Sequence, residues 1–226
     1  MAGIRSKAIR PVLKPVQGGT KPLGRRGRKK QETRERILEM ARRLFAVKGY
    51  NGTTVEEIAE AAKVSRATFF NYFLVKPILL SEMVERMMER FERRVAEQLR
   101  SPASTTDRLR NFFHYSLQAI ERDRDLARLL LIESFSGRAD PSVQHERVRR
   151  MHRSLEALLR NGIERGDVRT DFALPLLVAL VAGAHNQIVL AWLSDPKYPL
   201  GERLHEAAQL IGEALTPQEA SRRTEI

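Results

Sequence analysis

An all-α fold, with a small helical head followed by a larger helical body, is predicted by three features of the sequence. Apolar residues recur at helical spacing from about residue 33 to residue 215. Glycine, proline and Asn-Gly breaks divide that pattern into segments of helical length. No segment shows the alternation of a convincing strand, and no internal repeat is present. At 226 residues and 42% hydrophobic, the chain can bury a proper core.

Residues 1–31 stand apart. They carry ten Lys or Arg and no acid, leaving 30 basic and 28 acidic residues in the remainder, so most of the net charge of +12 resides in this segment. Rich in Lys, Arg, Gly and Pro, it reads as a largely disordered basic arm. Such an arm favours a polyanion, most simply nucleic acid, although an acidic membrane surface would also attract it. Its Arg25, Arg26 and Arg28 lie in an Arg-Gly-Arg setting that can enter a narrow A·T-rich minor groove. A nonspecific basic arm is the alternative.

The first helix is expected from about Thr33, with Ile37, Leu38, Ala41, Leu44 and Phe45 forming its apolar stripe and Gly49 ending it. Thr54-Val55-Glu56-Glu57 is a capping-box pattern opening a short second helix, whose Ile58, Ala59 and Ala62 face inward. Ser65 is the expected cap of a third helix, from about Arg66 to Phe73. Pro77 suits the first turn of a fourth, reaching about Leu99. Further helices are expected at about 105–121, 124–135, 142–165, 171–194 and 200–215.

Three short helices with a tight turn between the second and third form the geometry that presents one helix to a DNA major groove. The third helix is polar at its start and aromatic toward its end, so it can face base edges and still pack on its own domain. Here the sequence resembles the TetR family of bacterial regulators. The residues that carry the resemblance are Ile37, Ala41, Leu44, Phe45, Gly49, Tyr50, Thr54 to Ala59, Ala62, Val64, Ser65, Ala67 to Phe70, Tyr72, Phe73, Lys76, Leu79 and Leu80. The resemblance implies a helix-turn-helix domain at 32–76 and a ligand-binding and dimerisation domain at 77–226. It also implies a homodimer that binds a palindromic double-stranded DNA operator and is released by a small organic effector.

Carried onto this chain, the resemblance puts Ser65, Arg66 and Ala67 nearest base edges. The Arg66 fork can pair with guanine O6 and N7, and Ala67 can touch a thymine methyl; a phosphate contact or a solvated side chain is the alternative for Arg66. Thr54, Thr68, Tyr72 and Lys76 fall at phosphate-contact positions, which set register. The family pattern is broken at Phe70, where a tyrosine is frequent, at Ala67, where a glycine is frequent, at Lys76-Pro77 in place of Lys-Glu, and at Leu74-Val75 in place of a more polar turn.

Phe172 to Trp192 is apolar on most faces and must be covered on several sides, by the body core and by a second subunit. His185, Asn186 and Gln187 near its middle argue against membrane insertion. Candidate effector contacts are Phe112, Tyr115, Glu133, Phe135, Met151, His152, His185 and Asn186, a mixture of apolar walls and polar groups that suits a hydrophobic or amphipathic ligand. Ordinary core packing is the alternative for each.

The chain has no cysteine, which excludes disulfides and thiolate sites and fits a cytoplasmic location. No metal is expected: His145 and His152 sit two turns apart, roughly 10 Å by helix rise. No cofactor is expected either. The absence of a phosphate loop, a nucleophile elbow or a zinc-hydrolase motif argues against an enzyme. A DNA-binding architectural protein without a ligand switch is the other alternative.

Overall fold

The computed structural model describes residues 24–135, 141–195 and 197–217. Over these residues the chain is all-α. Its elements are α1 (Arg25–Lys48), α2 (Val55–Ala61), α3 (Arg66–Tyr72), α4 (Pro77–Arg100), α5 (Thr105–Glu121), α6 (Arg124–Phe135), α7 (Pro141–Arg165), α8 (Leu174–Ser194) and α9 (Leu200–Leu215).

The main departure from expectation is at the first helix. It starts at Arg25 and not near Thr33, so residues 25–31, within the segment that reads as a largely disordered basic arm, are helical. Lys, Arg, Gln and Glu are good helix formers. Thr33 Oγ1 donates to Lys29 O, and Gln31 donates to Glu35 across one turn. Arg25, Arg26 and Arg28 thus stand exposed on the first turns of a helix and not on an extended hook. Residues 1–23 lie outside the described residues.

Local chemistry sets the head. Gly49 ends α1 at φ 71°, a backbone region that favours glycine. Thr54 and Glu57 form the reciprocal capping box: Thr54 Oγ1 accepts from Glu57 N at 3.2 Å, and Glu57 Oε2 accepts from Thr54 N at 2.8 Å. Between α2 and α3, Lys63 adopts φ 52°, unusual for a residue with a side chain. The turn is closed by Lys63 N to Glu60 O and Val64 N to Ala59 O, each 2.9 Å. Pro77 occupies the first turn of α4, as its missing N–H permits.

Two apolar cores result. The head core joins Ile37, Ala41, Phe45, Ile58, Phe69 and Phe73 to Leu79, Leu80, Met83 and Val84 of α4, so it reaches past residue 76. The body core is built around Leu109, Phe113, Leu155, Leu158, Val181, Trp192 and Leu204. Helix α6 joins them. Leu126 and Leu130 are buried in the head core, while Ala127 and Leu131 pack on the body core. Arg128 donates to the carbonyls of Trp192 and Leu193 at the end of α8.

Ion pairs run along α4. On its head side, Arg34 pairs with Glu82, and Arg86 pairs with Glu35 and Glu82. On its body side, Glu85 accepts from Arg147 at 2.9 Å and from Arg150 at 2.7 Å, and Arg150 also bonds Glu92 at 2.7 Å. The Arg150 guanidinium holds the Glu92 carboxyl below its usual range. Among the described residues one helix, Leu174–Ser194, is long and apolar enough to cross a membrane by length and composition alone. In this fold it buries Leu177, Val178, Val181, Ala182, Val189, Trp192 and Leu193.

Candidate nucleic-acid interface and sensing body

Helix α3 is held from below and open above. Phe69 is fully buried, with Phe73 beside it at a ring-centroid distance of 5.9 Å. Arg34 stacks its guanidinium 4.5 Å from the Phe73 ring and donates to Tyr72 O at 3.0 Å, which fixes the end of α3 to α1 and α4. Ser65, Arg66 and Ala67 are all exposed at the opposite end. The Ser65 hydroxyl is already engaged as the helix cap, accepting from Thr68 N at 3.0 Å and sharing a 2.8 Å hydrogen bond with Thr68 Oγ1. Arg66 reaches back to α2, with its Nε 3.0 Å from Glu56 Oε1 and its guanidinium 5.6 Å from the Phe70 ring.

The other head positions differ in their availability. Thr54 is exposed at the start of α2, and its hydroxyl serves the capping box. Thr68 and Tyr72 are half-buried. The Lys76 ammonium is turned inward, donating to Tyr50 O at 2.8 Å and Thr53 O at 2.9 Å, and lies 4.1 Å from the Tyr50 ring. It ties the start of α4 to the α1–α2 turn. Sequence reasoning missed this tie, the Glu56–Arg66 pair and the Arg34–Glu82 clamp. Each joins residues far apart in sequence and leaves no local pattern.

In the body the structure brings only some of the candidates together. His185 of α8 sits against Phe112 and Phe113 of α5, at ring-centroid distances of 5.0 and 5.8 Å, with Phe91 of α4 behind Phe112 at 5.5 Å. Ser116 Oγ lies 2.7 Å from His185 Nε2, and Asn186 Oδ1 lies 3.5 Å from Nδ1. The residue keeps partial exposure, yet burial of the imidazole pushes its pKa down to about 4, so the ring is neutral near pH 7. Met151 packs on the same core.

The remaining candidates lie elsewhere. Tyr115 faces Arg94 at 5.1 Å, His152 is exposed, Phe135 is exposed at the end of α6, and Glu133 is half-buried with a partner. A shallow groove of about 310 Å³ runs between α5 and α9, lined by Arg110, His114, Leu117, Leu204 and His205. Among the described residues no group of three or more His, Asp or Glu could hold a metal ion.

An apolar strip remains uncovered on α8 and α9: Leu176 is 56% exposed and Leu210 68%, with Leu180 and Leu190 also exposed. Leu176, Leu180, Gly183, Gln187 and Leu190 follow the three- and four-residue spacing of one helix face.

Comparison with known proteins agrees with this architecture. The family description "Bacterial regulatory proteins, tetR family" matches residues 37–83, and "YsiA-like protein, C-terminal region" matches residues 84–214. The transcriptional regulator HbdR of Aromatoleum sp. (strain CIB) is 26% identical over 184 residues, covering 81% of this chain and 80% of HbdR. The solved structure of Thermus thermophilus FadR, a TetR-family repressor in complex with lauroyl-CoA, is 28% identical with a TM-score of 0.63, covering 85% of this chain and 100% of that one. Bacillus subtilis FadR in complex with stearoyl-CoA has the same fold, with a TM-score of 0.64 and 22% identity over 80% of this chain and 98% of its own. With both the head and the body matched over most of its length, the chain belongs to the TetR family of bacterial regulatory proteins, which are DNA-binding and not catalytic.

Proposed function

We propose that this protein is a cytoplasmic homodimeric repressor that binds a palindromic operator through α3 and is released by an amphipathic organic effector. The observation that carries the reading is the form of α3, exposed at Ser65, Arg66 and Ala67 and anchored by buried Phe69 on a rigid core. Arg66 and Ala67 read base edges, while Thr54, Thr68 and Tyr72 approach phosphates. Lys76 supports them by holding the α1–α2 turn against α4. Arg25, Arg26 and Arg28 add an electrostatic contact beside the groove, which strengthens binding at low salt.

Two copies pair through the exposed leucine strip of α8 and α9. The effector enters the body beside Phe112, His185 and Asn186, where aromatic walls meet a neutral imidazole and an amide. An acyl thioester is the class to test first, because two similar regulators hold lauroyl-CoA and stearoyl-CoA in their solved structures.

The experiment is selection of DNA sites by the full-length protein, followed by anisotropy titration of the selected site with acyl-CoAs of increasing chain length and with the matching free acids. A shared palindrome released by one class supports the reading. Enrichment without a shared motif refutes sequence-specific regulation, and a palindrome that no amphipath releases refutes the effector assignment.

A further inference from the structure

We infer that Glu56 is a positioning residue for base recognition: it holds the Arg66 guanidinium in place to read a guanine in the major groove. The inference rests on the DNA-reading role proposed for α3. Three observations carry it. Arg66 Nε lies 3.0 Å from Glu56 Oε1 across the helix-turn-helix. The guanidinium carbon of the same residue lies 5.6 Å from the centroid of the Phe70 ring. Both members of the ion pair are well exposed, at 67% and 57%, on the side where α3 is open.

The geometry divides the work of one side chain. With the carboxylate beside Nε and an aromatic ring nearby, the Nη1 and Nη2 edge can form the two parallel hydrogen bonds that guanine O6 and N7 accept. A free arginine must freeze several torsions to do this, whereas one flanked by a carboxylate and a ring has fewer to freeze. Among the described residues no other acid pairs with Arg66.

Glu56 is otherwise an unfavourable residue for a DNA-binding face, because a carboxylate near phosphates is repelled. In water an exposed pair of this kind adds little to stability. Once the interface excludes water, the same contact strengthens. Glu56 therefore lowers affinity for DNA in general while raising it for the correct base, which is how repulsion contributes to specificity.

The test uses full-length protein and the operator selected as above, with each base of the half-site varied. A bidentate arginine–guanine contact corresponds to roughly 5- to 150-fold discrimination at its base pair. Arg66→Ala is expected to abolish the preference at one guanine. Glu56→Gln is expected to reduce that same preference several-fold, to leave the other positions unchanged, and to raise affinity for random DNA. In the Arg66→Ala background, Glu56→Gln is expected to leave base preference unchanged. Thermal midpoints should stay close to wild type, which separates positioning from folding.

Full guanine preference in Glu56→Gln, with loss in Arg66→Ala, overturns the inference and leaves the proposed function standing. Unchanged preferences in Arg66→Ala overturn the inference and the base-reading role of Arg66 together.

Discussion

Truncating Leu130 to alanine removes a side chain that belongs to α6 but is buried in the head core, with only 6% of it exposed. The change deletes roughly three carbons, worth about 0.8 kcal/mol each in transfer free energy, or about 2.4 kcal/mol. The space left between α6, α1 and α4 collapses only partly, so a cavity term adds to this, and the expected loss is about 3 kcal/mol within the usual range of about 2–5. Urea unfolding followed by far-UV circular dichroism, and by the fluorescence of the single tryptophan, Trp192 in the body, measures it.

Ile132→Ala on the same helix is the control. Ile132 is 40% exposed, so its loss should cost much less. Because α6 also packs on the body and bonds the end of α8 through Arg128, the Leu130 cavity should weaken the coupling of effector binding to operator release. A cost below about 1 kcal/mol for Leu130→Ala would show that α6 does not join the two cores in solution.

Three further outcomes follow from the geometry. His185 has a folded pKa of about 4 against an ordinary 6.5, so the unfolded chain binds the extra proton between those values and stability falls as pH drops through that window. His185→Gln should flatten the stability profile there in acid titrations followed by circular dichroism, and an unchanged slope would contradict the buried neutral ring. Leu180→Arg places a charge on the exposed face of α8 and should convert the dimer to a monomer in sedimentation, with helix content kept and operator affinity lost. A dimer that persists would move the interface elsewhere. Gly162→Ala would bring a Cβ within 2.3 Å of Thr105 Oγ1 and 2.5 Å of Val168 Cγ2, so it should cost about 1–3 kcal/mol in urea unfolding, and a neutral result would refute the close packing of α5 on α7.

The parts of this protein that could be read from its sequence are those governed by neighbours in the chain. The Thr54–Glu57 capping box, the Ser65 cap, the Pro77 start and the Gly49 stop each act over a few residues, and the structure contains all of them. Helical spacing likewise located α5, α6 and α9, because an amphipathic stripe shows wherever one face is buried. The start of α1 was misjudged because charge density and glycine suggested disorder, while the intrinsic helix preference of Lys, Arg and Gln prevailed from Arg25 onward.

The tertiary fold settled matters that depend on residues distant in the chain. Leu126 and Leu130 look like ordinary body residues until α6 is laid against α1 and α4. Lys76, a phosphate-contact candidate by sequence, also donates to the Tyr50 and Thr53 carbonyls, which come within 3 Å of its ammonium only once α4 is laid against the α1–α2 turn. Of the aromatic and polar candidates in the body, the fold gathered Phe112, His185 and Asn186 and left Tyr115 and His152 apart. Which side chain meets which is decided by long-range packing, where helix faces compete for the same buried space. Hydrophobic spacing marks the face that must be buried and carries no information about the partner that buries it.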